Sequence, residues 1–389
     1  MSGTSLYIHI PFCLKKCGYC DFFSRESVSV PDAYVHAILN EVSLHSLENN
    51  ILFDTVYVGG GTPSLLSASQ IEELFCGLKP FLVPEPLEIT FEMNPETLTE
   101  EKLCALESSG VDRISLGIQS LDDKALSGCG RRCTAEKARK ALRTVASFWK
   151  KKLSLDAIAG LPYERSLGNE EKFLASLEEI LSYKPSHVSL YSLSLEEGTP
   201  LYSRFKNEDY DFDSADGQWL KGRDFLFKNG FVQYEVSNFA LPGFEAVHNS
   251  RYWKQADYAG AGAGATGTFY GRKLRWTNTE DVDSYIAFWN LPDEERRKAY
   301  KAGKAPRTEE HLKEGELSEE FLMMGLRTIN GVSEADFRER YGKDLSLLLN
   351  ESRIWNQFVS EGKAVYKDGR ASLTADGLLF LNTLLLDLF

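Results

Sequence analysis

The chain has 389 residues, of which 43% are hydrophobic, enough apolar content for one large folded domain with a smaller one beside it. A formal net charge of -13 opposes polyanions, so neither nucleic acid nor anionic lipid is expected as a general partner. The leading MSGTSLYIHIPF has no basic region running into an apolar signal stretch. No segment approaches the ~20 apolar residues that span a bilayer, so a cytoplasmic protein without a transmembrane segment is expected.

Six β-rich runs alternate with amphipathic stretches through the first half: Leu6–Ile10, Thr55–Val58, Leu87–Phe91, Arg113–Gly117, Leu153–Ile158 and His187–Leu193. Between the fourth and fifth, Ala138, Ala141, Leu142, Val145 and Phe148 recur at helical spacing behind Thr134, a candidate N-cap. Such alternation predicts a parallel α/β barrel or open sheet, whose chemistry collects at the carboxyl ends of the strands.

The pattern changes near Asp216. A helix is expected to Asn229, then a strand at Phe231–Val236 and an aromatic, glycine-rich passage from His248 to Phe269, all appended to a domain of residues 1–292. Residues 293–315 are charged and lack an apolar period, as an exposed linker or lid would be. Residues 316–389 read as helices around Phe321–Leu326, Glu334–Tyr341 and Leu345–Phe358, two short strands flanking Lys367–Arg370 and a Leu-rich terminal helix. This predicts a smaller C-terminal winged-helix-like domain.

The seven cysteines are a poor basis for a disulfide framework in a chain without a secretory signal, so reduced thiols are expected. Cys13, Cys17 and Cys20 follow the first strand in YIHIPFCLKKCGYCDFF. Soft thiolates at this spacing suit an iron–sulfur cluster, with one iron left without a local protein ligand; a zinc knuckle or three incidental buried thiols are the alternatives. Cys76 and Cys104 fall in helix-like stretches and read as packing residues.

After the second strand, VYVGGGTPSLL places Gly59, Gly60 and Gly61 where backbone can approach a ligand, with Thr62 and Pro63 shaping the exit. Glu92 and Asn94 in FEMNPE, Gln119 in ISLGIQS and Asp156 in LDAIAGLP lie on or just after the next three strands, where polar groups can converge on one ligand. For Glu92 and Asp156, capping or ion pairing is the alternative.

The cysteine segment resembles the radical-SAM signature. That resemblance implies a 4Fe-4S cluster on Cys13, Cys17 and Cys20 and S-adenosylmethionine chelated to the open iron, from which a 5'-deoxyadenosyl radical is generated with an electron donor. It also implies an incomplete (β/α)6 TIM-like barrel. Matching the coproporphyrinogen dehydrogenase group residue by residue, Tyr7, Gly60, Gly61, Thr62, Glu92, Gln119, Arg131 and Asp156 are implied as cofactor-binding; no catalytic residue is assigned.

YIHIPFC, VYVGGGTPS, FEMNPE, RISLGIQS, LDAIAGLP, HVSLYSLSLEEGTPLY, YEVSNFA and HNSRYW run from Tyr7 to Trp253 and look like the HemW branch of that group. The branch implies a heme chaperone, with heme as cargo and heme-accepting apoproteins as partners. The alternatives are an oxygen-independent coproporphyrinogen III dehydrogenase and a radical methyltransferase, which fold alone does not separate. Phe22 stands where the dehydrogenases carry a further cysteine, and only twelve residues precede Cys13; both favour the chaperone.

Heme needs an axial ligand in an aromatic surround. His248 in HNSRYW, near Tyr252 and Trp253, is the expected contact, with Arg251 for a propionate. A hydrogen-bonded structural histidine is the alternative. His9 and His187 read as interior residues, and His36, His45 and His311 as solvated. Cys133 and Thr266 replace histidines common in relatives, and Cys133 is a further candidate axial thiolate.

Overall fold

The computed structural model describes residues 3–162, 169–206 and 210–389. Its central feature is six parallel strands, β1 (Thr4–Ile10), β2 (Phe53–Gly60), β3 (Glu88–Met93), β4 (Arg113–Gln119), β5 (Lys152–Ala159) and β6 (His187–Ser192), paired in sequence order and linked by helices. This is the incomplete (β/α)6 barrel that the resemblance implies, one of the two architectures the alternation allows.

Along each strand the side chains divide by phase. Leu6, Ile8 and Ile10 on β1, Val56 and Val58 on β2 and Ile114, Leu116 and Ile118 on β4 are fully buried in the layer between strands and helices. Their alternates are largely polar: Ser5, Tyr7 and His9, then Thr55 and Tyr57, then Glu88, Thr90 and Glu92. The interior of the barrel is therefore a column of polar groups, and the apolar core lies outside it.

Helix Ala135–Phe148 forms as its spacing dictates. Thr134 caps it by accepting from Lys137 N at 3.3 Å, and Ala138, Ala141, Leu142 and Val145 are buried. Phe148 instead faces solvent, because the next residue, Trp149, takes the core position and donates its indole N–H to Lys152 O at 2.9 Å.

Both edges of the sheet are extended. Val232–Gln233 (β7) and Asn238–Ala240 (β8) form a hairpin whose second strand pairs antiparallel with β6; of the strand expected at Phe231–Val236 only Val232–Gln233 forms. Beside β1, Tyr258–Ala261 (β9) runs parallel, followed by an antiparallel meander of Thr266–Phe269 (β10), Leu274–Asn278 (β11) and Arg307–His311 (β12). The full order is β12-β11-β10-β9-β1-β2-β3-β4-β5-β6-β8-β7.

The stretch 293–315 is mostly exposed, as its charge suggests, but it is folded. It contains helix Asp293–Lys301 and the edge strand β12. Arginine supplies the packing that apolar residues would otherwise give: Arg307 lies 4.8 Å over the Tyr300 ring and 5.4 Å over Trp276, and Arg296 is buried with Asp293 as partner at 2.8 Å.

Beyond it, helices Glu314–Gly325, Glu334–Tyr341, Leu345–Glu351 and Arg353–Ser360 enclose a second core of Leu322, Leu326, Phe337, Leu345, Trp355 and Leu384 with the hairpin Ala364–Lys367/Arg370–Leu373. This body docks on the barrel through Gln255, which donates to Leu317 O at 2.9 Å and accepts from Tyr341 OH at 2.5 Å. Arg275 paired with Glu320 at 2.6 Å adds a second tie. Among the described residues no helix is long and apolar enough to cross a membrane.

Candidate functional site

The cysteine loop leaves the carboxyl end of β1 and is held by backbone. Phe12–Cys13 pairs with Arg25–Glu26, Ser27 N donates to Cys13 O at 2.8 Å, and Cys20 N to Cys17 O at 3.2 Å. A neighbouring loop reaches in where Gly18 N donates to Cys129 O at 2.9 Å; a Cβ on Gly18 would stand 3.0 Å from that oxygen.

The glycine triplet lies flush against this loop. Gly61 N donates to Ile10 O, and a Cβ on Gly61 would meet Cys13 Sγ at 3.0 Å. Gly60 has φ of 115°, and a Cβ there would stand 2.7 Å from His9 Nδ1. Thr62 donates its hydroxyl to Cys13 Sγ at 3.4 Å.

Together these loops and the strand ends enclose a cavity of about 590 Å³ lined by Cys13, Cys17, Cys20, Gly60, Gly61, Thr62, Glu92, Gln119, Arg131 and Asp156. Asn94, Tyr19, Ser115 and Tyr191 join them. Tyr191 is a residue that sequence reasoning missed; its signal is the phase of β6, where it follows His187 and Ser189 onto the interior face. Tyr7 does not line the cavity: its hydroxyl bonds His9 Nδ1 at 2.8 Å within the barrel.

Glu92 accepts from Tyr57 OH at 2.6 Å and Gly60 N at 3.2 Å, and Asp156 from Ser115 at 3.1 Å. Burial pushes the Glu92 carboxyl up to about 7 and Asp156 up to about 6, so both wait for a cation or a hydroxyl donor. Arg131 is anchored by Tyr19 OH at 3.1 Å and Gly117 O.

Gln119 sits at a register shift between β4 and β5 with φ of 68°, a conformation rare for a side-chain-bearing residue. The irregularity turns the end of the strand, and Gln119 Oε1 is buried without a partner. A buried carbonyl left unpaired on a cavity wall fits a ligand that brings its own N–H or O–H.

Among the described residues no three His, Cys, Asp or Glu side chains gather closely enough to hold one metal ion. Tetrahedral zinc, with Zn–S of about 2.3 Å, would require sulfurs about 3.8 Å apart. Thiolates that each take a separate iron of a cubane stand wider, so these donors fit an iron–sulfur cluster better than a single zinc.

Several expectations are corrected. His248 is not in the cavity: it is wholly buried at the opposite, amino end of the strands. There Nδ1 bonds Thr55 Oγ1 at 3.0 Å and Nε2 bonds Tyr252 OH at 2.8 Å, the arrangement of the hydrogen-bonded structural alternative. Arg251 is likewise committed, donating to Asp54 Oδ2 at 2.5 Å and Gly3 O at 2.6 Å.

Cys133 is buried outside the cavity with its thiol on Thr134 O at 3.4 Å, and Thr266 pairs with Thr277 on β11 at 3.0 Å. His45 is buried, stacked 5.0 Å from Trp276, because the meander covers its helix; Cys76 and Cys104 are exposed. His187, as expected, is an interior residue bonded to Ser154 at 2.7 Å and Tyr234 at 2.8 Å.

Residues 7–166 match the model of the radical SAM superfamily and residues 312–380 that of the HemN C-terminal domain. The chain is 34% identical to the heme chaperone HemW of Lactococcus lactis, over 91% of each chain. The chain belongs to the HemW family. The HemW protein of Escherichia coli is 36% identical over 72% of this chain and 75% of its own. A mouse relative, radical S-adenosyl methionine domain-containing protein 1, is 32% identical over 99% of this chain and 87% of its own. The fold of this HemW-family chain superposes on coproporphyrinogen III oxidase HemN of Escherichia coli with a TM-score of 0.79, at 18% identity, over 99% of this chain and 90% of that one.

Proposed function

We propose that this protein is a cytoplasmic heme chaperone that binds heme and passes it to acceptor apoproteins, with a 4Fe-4S cluster and S-adenosylmethionine in the barrel. Cys13, Cys17 and Cys20 would hold the cluster, which supplies an open iron for the cofactor's amino and carboxylate groups and takes its electron from a donor protein. Gly60, Gly61 and Thr62 bring backbone up to the ligand. Glu92 and Asp156 offer acceptors to its hydroxyl and ammonium groups, Gln119 its unpaired carbonyl and Arg131 a fixed cation. Tyr7 supports this set from below through its contact with His9.

The observation that carries this reading is the convergence, in one cavity, of three thiols, a glycine cradle without room for a Cβ and a buried unpartnered Gln119 carbonyl. The proposed division into a barrel domain of residues 1–292, a connecting stretch 293–315 and a C-terminal domain of residues 316–389 is supported by two separate buried cores.

The test is anaerobic reconstitution followed by heme titration and transfer to an apo-cytochrome. Brown colour and iron content lost in a Cys13, Cys17, Cys20 triple-alanine variant, with heme transfer by the wild type, are the expected results. Formation of protoporphyrinogen from coproporphyrinogen and S-adenosylmethionine would overturn the chaperone-only reading.

A further inference from the structure

The cavity has a second set of lining residues that the cofactor-binding groups do not use. Phe22, 69% exposed, lies on its rim two residues beyond Cys20, and Tyr191, 42% exposed, lines it from β6. Lys15 and Lys16 line the same cavity, and among the described residues neither ammonium has a hydrogen bond or an ion pair. A phenyl ring left in water on the edge of a cavity, with two free cations in the same loop, is a surface waiting for a partner that is flat, apolar and doubly anionic.

We propose that the tetrapyrrole face of heme docks on Phe22 at the mouth of this cavity, with its propionates on Lys15 and Lys16. The inference rests on the chaperone reading and locates its cargo. The acids on the same rim sharpen the orientation: Asp21 and Glu196 repel carboxylates, and Glu196 is already engaged by the Ser194 hydroxyl. Those two acids direct propionates toward the lysines, where Glu26 Oε1 is held by Lys16 N at 3.2 Å. His248 stands apart from this cavity, with both its ring nitrogens hydrogen-bonded at the other end of the barrel.

The experiment is a heme titration followed at the Soret band on the cluster-loaded protein, for the wild type, Phe22→Ala, Phe22→Trp and the double variant Lys15→Glu, Lys16→Glu. Iron content shows that each variant keeps its cluster. Phe22→Ala and the lysine pair are each expected to weaken heme binding tenfold or more, and Phe22→Trp to preserve it. With protoporphyrin dimethyl ester, whose propionates are masked, the lysine effect should disappear and the Phe22 effect remain. Wild-type affinity in both Phe22→Ala and the lysine variant overturns the proposed site while leaving the chaperone reading intact. A wild type that binds no heme overturns the chaperone reading and the site with it.

Discussion

His248 decides between a ligand and a structural plug, and its removal has a calculable cost. In His248→Ala, Tyr252 OH loses its partner in a partly buried site, at about 1–3 kcal/mol, while Thr55 keeps its bond to Ser5 at 2.9 Å. The vacated imidazole volume adds a cavity term, for a total of about 3–5 kcal/mol. With an unfolding entropy of about 2.1 cal/mol/K per residue, the melting temperature should fall by about 5 °C. Scanning calorimetry measures this, and a heme titration below the transition should give wild-type affinity and an unchanged Soret band. A variant that melts like the wild type but has lost heme affinity and its axial-ligand spectrum would refute the argument. His248→Gln should recover part of the stability without restoring an imidazole.

Gly60→Ala forces φ of 115° on a residue with a Cβ and presses it on His9, so S-adenosylmethionine affinity should drop at least tenfold with cluster iron retained. Gly61→Ala, directed at Cys13 Sγ, should instead lower iron content on reconstitution. Glu92 and Asp156 are raised to about 7 and 6, so each stabilises the ligand-free protein below its ordinary carboxylate pKa and loses that contribution as pH rises through 6 to 7. A cationic cofactor favours the ionised forms, so its affinity should rise from pH 6 to pH 8 with proton release, read by calorimetry in buffers of different ionisation enthalpy. Arg113→Met leaves Glu88 buried with only Lys152 at 3.8 Å and should cost about 3–5 kcal/mol, much of it recovered by adding Glu88→Gln, as denaturant unfolding would show.

Much of the fold is legible in local chemistry. Strand runs, the Thr134 cap and the cysteine and glycine loops declare themselves because their spacing acts within a few residues. The histidines do not, since burial is decided by what arrives from elsewhere. His45 reads as a solvated helix position until β11 brings Trp276 onto it, and nothing in HNSRYW tells that its helix, Val247–Trp253, packs against the amino ends of β2 and β3. Residues 293–315 mislead for a related reason: apolar periodicity does not register arginine packed on aromatic faces.

The polar column inside the barrel also explains which end became the site. At the amino end most polar groups are paired from within: Glu88 takes Arg113 Nε at 2.9 Å and His248 N at 3.0 Å, and His187 is closed by Ser154 and Tyr234, leaving Arg113 Nη1 and Asp54 Oδ1 unpaired among the described residues. At the carboxyl end Glu92 and Asp156 have neutral hydrogen-bond partners but no bonded cation, and Gln119 Oε1 has no partner at all. A buried carboxylate without a bonded cation is costly unless protonated or met by a ligand, and burial raises both of these carboxyls. Compensation below and deficit above thus direct a charged ligand to the rim where the thiols stand.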